Sequence, residues 1–202
     1  NVHSPQFHLD LTKYVPAASI LLLHGFTSIS NSHLSFLWKI ILLVFGYIIA
    51  QMLGGILGAT LAYLTYKAQM DAEPEPAVKL GVFSTGPSID APIWNVVTEI
   101  IGTALLLIGV LAFGYGEVGI QPGNGAFFVG LLIVIIGMAT GGATGYAINP
   151  ARDLGPRIAH AILPIKGKGG SNWKYAWVPV VGPIIGGILG AVIFDAFLSA
   201  VL

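Results

Sequence analysis

The stretch that decides the fold is residues 147–163, which read AINPARDLGPRIAHAIL. It is too short and too charged to cross a bilayer, which requires about 20 predominantly apolar residues in a helix. Asn149 followed by Pro150 is a typical helix start, because proline is tolerated in the first turn. Apolar residues follow at helical spacing, at Leu154, Ile158 and Ile162. The stretch therefore predicts a short helix over residues 149–162.

Longer apolar segments lie on both sides of this stretch. Of the 202 residues, 55% are hydrophobic and 9% are charged, whereas a soluble domain carries about 25% charged residues. The charges fall between the apolar runs, so we predict an all-α membrane protein. Its predicted spans are residues 40–66, 92–113, 126–146 and 175–198.

Composition excludes several classes of protein. Nine basic residues balance nine acidic ones, which argues against a nucleic-acid binder. The chain has no cysteine, so disulfides, thiolate metal sites and cysteine nucleophiles are excluded. We predict no enzyme activity, no cofactor and no metal, because the spans carry no catalytic set of His, Asp and Ser. An ion channel is disfavoured, since Glu99 is the only acid within the first three spans and Arg152 would oppose cations.

A helix that begins at Asn149 directly after a span leaves little chain for a crossing. We therefore predict a re-entrant half-helix that starts inside the membrane, with residues 140–145 as an unwound, glycine-rich approach. Its N-terminus would place a positive dipole end near the midplane. There the Asn149 amide could donate to a hydroxyl or water oxygen, and Arg152 would repel protons and other cations.

Each of these residues also has an ordinary structural interpretation. Asn149 could be a simple N-cap, and Arg152 could pair with a lipid headgroup or a loop. His160 has no evident partner and is predicted to lie on the surface of the half-helix. Glycines at four-residue spacing, typical of close helix packing, occur at Gly54 and Gly58, at Gly137, Gly141 and Gly145, and at Gly182, Gly186 and Gly190.

The half-helix also carries a family resemblance. Residues 145–153, GYAINPARD, closely resemble the second Asn-Pro-Ala signature of the aquaporin and glycerol-facilitator family, here Asn149, Pro150 and Ala151. Residues 47–55, 98–103 and 178–187 look like the family's third, fourth and sixth helices. The resemblance covers about residues 45–202. It implies an aquaporin-like helical bundle and a homotetramer with one pore per subunit in the lipid bilayer.

The resemblance also favours a subclass. Water-selective members carry a histidine twelve positions before the signature asparagine, where this chain has Gly137. Glycerol-passing members commonly have an aromatic residue at the position of Tyr146 and an aspartate at that of Asp153. The resemblance thus implies a selectivity filter of Arg152, Gly137 and Tyr146, in which the small residue at 137 widens the constriction for glycerol.

Three polar residues are expected to support this site. In the family, the acid that matches Glu99 braces the backbone of the re-entrant loop. Gln51 is predicted to act as a similar brace, and Asp153 as a helix N-terminal charge rather than a permeation residue.

The N-terminal part departs from the family. A complete member has two inverted halves, each with its own Asn-Pro-Ala motif, whereas this chain has one, so we predict an incomplete first repeat. Residues 1–39 are an atypical segment of unknown structure, followed by an aquaporin-like domain over residues 40–202.

Two hypotheses result: a passive channel for glycerol and water in a bacterial plasma membrane, or a truncated, non-conducting membrane protein. The family resemblance places loops 67–91 and 163–174 on the outer side of the membrane. The lysines in these loops favour the cytoplasmic side, by the rule that cytoplasmic loops are enriched in basic residues.

Overall fold

The computed structural model describes residues 33–115 and 124–198, and every regular element in them is helical. The chain divides into two units, Asn1–Gly46 and Tyr47–Leu202. Residues 1–32 of the predicted N-terminal segment lie outside the described residues. The candidate site lies within the second unit.

The helices follow the alternation of apolar runs and polar loops. Four of them are long and apolar enough to cross a membrane, whereas the helix Pro150–Ile162 is too short to do so. The chain is therefore a multi-pass membrane protein. In order, the helices are α1 (His33–Thr65), α2 (Lys67–Ala72), α3 (Pro76–Gly81), α4 (Pro92–Phe113), α5 (Gly125–Thr144), α6 (Pro150–Ile162) and α7 (Val178–Ile193), which continues as a π-helical turn, Phe194–Leu198.

The predicted unwinding of residues 140–145 is wrong, because α5 remains helical to Thr144. The Thr140 hydroxyl donates to the Ile136 carbonyl, and the Gly145 amide donates to the Gly141 carbonyl at 2.9 Å. These bonds pair the Ile136 and Gly141 carbonyls within α5, whereas the Gly142 and Ala143 carbonyls accept from the Ser88 hydroxyl and amide. Only residues 145–149 depart from helical structure before α6 begins.

The spanning helices α4 and α7 pack with their backbones close together. A Cβ at Gly186 would lie 2.5 Å from the Ile100 carbonyl oxygen, and one at Gly190 would lie 2.7 Å from that of Ala104. Backbones can approach this closely only where one helix has no side chain. The glycine stripe of α7 is therefore a packing surface against α4.

The half-helix α6 packs between α1 and α7. Where α1 crosses α6, a Cβ at Gly55 would lie 3.1 Å from the Ala151 carbonyl oxygen, and one at Gly155 would lie 3.1 Å from that of Met52. Near the far end of α6, a buried apolar cluster joins α1, α2, α6 and the loops beside them. The cluster consists of Tyr63, Met70, Phe83, Ala159 and Ile165.

Candidate functional site

The segment between α5 and α6, residues 145–149, has an unusual backbone. Gly145 ends α5 in the left-handed region at φ 79°, as C-terminal glycines commonly do. Tyr146 and Ile148 are also left-handed, at φ 42° and 44°, which is rare for bulky and β-branched residues. Each such residue costs on the order of 1–3 kcal/mol and persists only where its surroundings hold it. The strain marks this segment as a candidate functional site.

The contacts that hold the segment come from Glu99 on α4, which is 1% exposed. One carboxylate oxygen accepts from the Thr144 hydroxyl at 2.6 Å and from the Ala147 amide at 3.0 Å. The other accepts from the Ile148 amide at 2.7 Å. Three donors thus satisfy a carboxylate whose burial would otherwise be costly. This is the geometry that a brace for the segment requires.

Asn149 occupies the N-cap position of α6. Its backbone is extended, and its side-chain oxygen accepts from the Ala151 amide at 2.8 Å. Pro150 follows as the first helical residue, where its missing N–H leaves no donor unpaired. The Asn149 Nδ2 lies 3.5 Å from the Oε1 of Gln51 on α1, at the outer limit of a hydrogen bond. The Asn149 amide hydrogens are therefore held beside the positive end of the α6 dipole.

The three residues predicted for a selectivity filter lie together. The Arg152 guanidinium carbon is 5.2 Å from the centroid of the Tyr146 ring, within range of a cation–π interaction. A Cβ at Gly137 would lie 3.1 Å from the Cε2 and Cζ atoms of the same ring. The space expected to be open at Gly137 is thus bordered by the Tyr146 ring.

Asp153 lies beside Arg152 but faces the interior, with no exposed surface. Its Oδ2 accepts from the Thr85 amide at 2.7 Å and from the Thr85 hydroxyl at 2.6 Å. Its Oδ1 pairs with the Nε of Arg157 at 2.8 Å. Asp153 therefore contacts the loop before α4 and its own helix.

Arg157 is a site residue that the sequence analysis missed. Its side chain is fully buried, and it donates to the carbonyls of Thr85, Ser171 and Asn172 at 2.8–3.0 Å. With Asp153 it joins α6 to two loops that are distant in sequence. The i,i+4 spacing of an acid and a base on a predicted helix was the available signal.

The C-terminal end of α6 is capped by a lysine. The Lys168 ammonium donates to the carbonyls of His160, Ala161 and Leu163, each at 2.7 Å. These carbonyls are at or just beyond the negative end of the helix dipole, which favours a cation. Lys168 thus fixes the loop that follows α6 against the half-helix.

The prediction that His160 lies on the half-helix surface is wrong, because His160 is fully buried. Its Nδ1 is 2.9 Å from the Ser171 hydroxyl, and its ring packs edge-on against Phe83 at 5.3 Å. The loop fixed by Lys168 covers the ring. Burial lowers the pKa of His160, and the nearby positive charges of Lys168 and Arg157 lower it further.

The site combines hydrogen-bond donors with an apolar ring. Across residues 33–115 and 124–198, no group of three or more His, Asp or Glu side chains could hold a metal ion. The strained segment carries the Asn149 amide and the Tyr146 ring, and the first turn of α6 adds the Arg152 guanidinium beside that ring. Donors beside an apolar ring suit a neutral solute with hydroxyl groups on a carbon chain.

Comparison with known proteins points to one family. The family model described as Major intrinsic protein matches residues 36–194. The chain is 57% identical over 150 residues to the Glycerol uptake facilitator protein of Bacillus subtilis (strain 168), covering 74% of this chain and 54% of that protein. It is 53% identical over 150 residues to the Probable glycerol uptake facilitator protein of Thermotoga maritima, covering 74% of this chain and 63% of that protein. The chain thus spans between 54% and 63% of the length of these relatives.

A solved structure shares the fold. The X-ray structure of the aquaglyceroporin from Plasmodium falciparum matches with a TM-score of 0.66 and 29% identity, covering 77% of this chain and 64% of that one. Together with the four apolar helices, this likeness confirms the predicted fold class, an all-α membrane protein with an aquaporin-like helical bundle.

Proposed function

Since the chain belongs to the major intrinsic protein family, we propose that it acts in a passive channel for glycerol and water. The observation that carries the proposal is the grouping of Arg152, Tyr146 and Gly137. The guanidinium offers donors to solute hydroxyls, and the ring offers an apolar wall to the carbon chain. Arg152 also opposes the entry of protons and other cations. The activity requires no cofactor, no metal and no covalent chemistry.

The Asn-Pro-Ala residues act beside this filter. Asn149 orients a passing hydroxyl or water oxygen through its amide hydrogens. Pro150 and Ala151 form the start of the half-helix directly after it. The Ala151 amide holds the Asn149 oxygen at 2.8 Å, which leaves the Asn149 Nδ2 to donate. Glu99, Gln51 and Asp153 support the site without touching the solute.

The relatives and the surface support a proposed setting. We place the chain in a bacterial plasma membrane as a homotetramer, with the loops after α1 and α6 outside. Large apolar side chains are exposed along the spanning helices, including Leu53, Leu57, Ile101, Leu105, Ile184 and Ile188. Such faces suit lipid or neighbouring subunits.

The test is light scattering by proteoliposomes that contain the 202-residue chain. Under an inward glycerol gradient, vesicles should shrink and then reswell faster than empty vesicles, and a sucrose gradient should give no reswelling. Gly137→Trp is the variant to compare with the wild type, because a bulky side chain at 137 would displace the Tyr146 ring and reduce the glycerol flux. Glycerol flux equal to that of empty vesicles, with the protein folded and inserted, would overturn the proposal and favour a non-conducting membrane protein.

A further inference from the structure

The Tyr146 ring packs against two glycines of α5, of which only Gly137 is predicted to belong to the filter. A Cβ at Gly141 would lie 3.0 Å from the Cδ1 atom of the ring and 3.4 Å from Cε1. Gly137, one helical turn earlier, borders the ring at Cε2 and Cζ. The ring therefore lies along α5, with its Cδ1 atom nearest Gly141 and its Cε2 and Cζ atoms nearest Gly137.

The backbone that carries the Tyr146 ring has little freedom to move. Tyr146 is held at φ 42°, and the next two amides, those of Ala147 and Ile148, are bound by the Glu99 carboxylate. A methyl group at Gly141 would be closer to the ring than ordinary van der Waals contact allows, so the ring has to give way by a few tenths of an ångström. Because the backbone is fixed, the ring moves away from α5.

We infer that Gly141 is a positioning residue that sets where the Tyr146 ring stands and, through the ring, which solutes pass the filter. The Arg152 guanidinium lies 5.2 Å from the ring centroid, so a shift of the ring changes the separation of the apolar and polar walls. Glycerol is bulkier than water and is more sensitive to that change. The transport consequence rests on the proposed function, whereas the seating of the ring is a packing relationship within this chain.

The neighbouring Gly142 provides a matched control. A Cβ there would meet nothing within 4 Å, so Gly142→Ala makes the same change in helix propensity without touching the ring. In proteoliposomes, Gly141→Ala should lower the ratio of glycerol to water permeability on the order of tenfold, the lower end of what one methyl group contributes to discrimination. Gly142→Ala should leave the ratio unchanged. A wild-type ratio in folded Gly141→Ala would overturn the inference.

A double-mutant cycle separates positioning from a general effect on the helix. In a Tyr146→Ala background there is no ring to displace, so adding Gly141→Ala should not change the permeability ratio further. The same drop in both backgrounds would contradict the inference.

Thermal denaturation of the same variants in detergent makes the test independent of flux. Relative to Gly142→Ala, Gly141→Ala should lower the melting midpoint only when Tyr146 is present. Equal shifts in the wild-type and Tyr146→Ala backgrounds would show that Gly141 does not position the ring. If the wild-type chain carries no glycerol, the proposed function fails, and this thermal cycle still decides whether Gly141 positions the ring.

Discussion

The Asp153 carboxylate and the Arg157 guanidinium, one turn apart on α6, form an ion pair at 2.8 Å with neither side chain exposed. The other carboxylate oxygen of Asp153 accepts from the Thr85 amide and hydroxyl. The two terminal nitrogens of Arg157 donate to three loop carbonyls. A buried pair is tolerable only when such additional hydrogen bonds satisfy both partners. The half-helix is thus joined to the loops before α4 and before α7 by one charged cluster.

Arg157→Met should destabilise the protein strongly. It leaves the Asp153 carboxylate buried without its cation and three loop carbonyls without their donor, and breaking such a pair costs about 3–5 kcal/mol. The measurement is the unfolding midpoint in detergent. Lys67→Met is the control, because the Lys67–Asp71 pair has the same i,i+4 spacing at 2.6 Å but is exposed to solvent. A shift for Arg157→Met no larger than that for Lys67→Met would contradict the prediction.

Glu99→Gln should loosen the strained segment before α6. A glutamine has one acceptor oxygen in place of two, and its amide would face an N–H donor of the segment. We expect a loss of about 2 kcal/mol, the cost of leaving a buried donor unpaired. Thr98→Ala serves as the control, since the Thr98 hydroxyl bonds only the Trp94 carbonyl of its own helix. Equal unfolding midpoints for the two variants would count against the bracing role.

Arg152→Val should loosen selectivity with little effect on stability. The Arg152 side chain is exposed, and its contact with the Tyr146 ring is worth only about 0.5–1 kcal/mol at such a site. Proteoliposomes that contain the variant should admit protons or small cations in addition to glycerol. Unchanged ratios of cation to glycerol permeability in a conducting channel would remove Arg152 from the filter.

Stability should fall on acidification because of His160. The groups that face it are Ser171, Phe83, Arg157 and Lys168, two of them cationic, and with burial they lower its pKa from the usual 6.5. The unfolded chain then binds more protons than the native one, so stability is full above about pH 6.5 and is lost as the pH falls from there through the lower folded pKa.

The check compares unfolding midpoints at about pH 7.5 and about pH 5 for the wild type and His160→Asn. Asparagine keeps a polar group near the Ser171 hydroxyl but does not titrate. The fall in midpoint should therefore be smaller in the variant. An identical fall in both proteins would assign the pH dependence to other groups.

The start of α6 could be predicted from sequence because its signals are local. Asn149 and Pro150 occupy the N-cap and first helical positions in which these residue types are favoured. The spanning helices were also accessible, since charged residues interrupt the apolar runs.

The packing around α6 could not be predicted, because it depends on residues far apart in the chain. The residue that completes the Asp153 site, Thr85, lies 68 positions earlier. His160 is buried beside Ser171 of the loop held by Lys168 and against Phe83 of the loop before α4, and no local pattern reveals these contacts. The glycines among residues 140–145 suggested an unwound backbone, whereas Gly141, like Gly137 one turn earlier, makes room for an aromatic ring on an intact helix.

The glycine stripe of α7 has a consequence beyond packing. A Cβ at Gly182 would lie 2.5 Å from the Cβ of Glu99, so any larger residue there would push the acid off its three donors. The Glu99 carboxylate in turn holds the Ala147 and Ile148 amides. The packing of two spanning helices and the conformation of the strained segment are therefore coupled through one side chain.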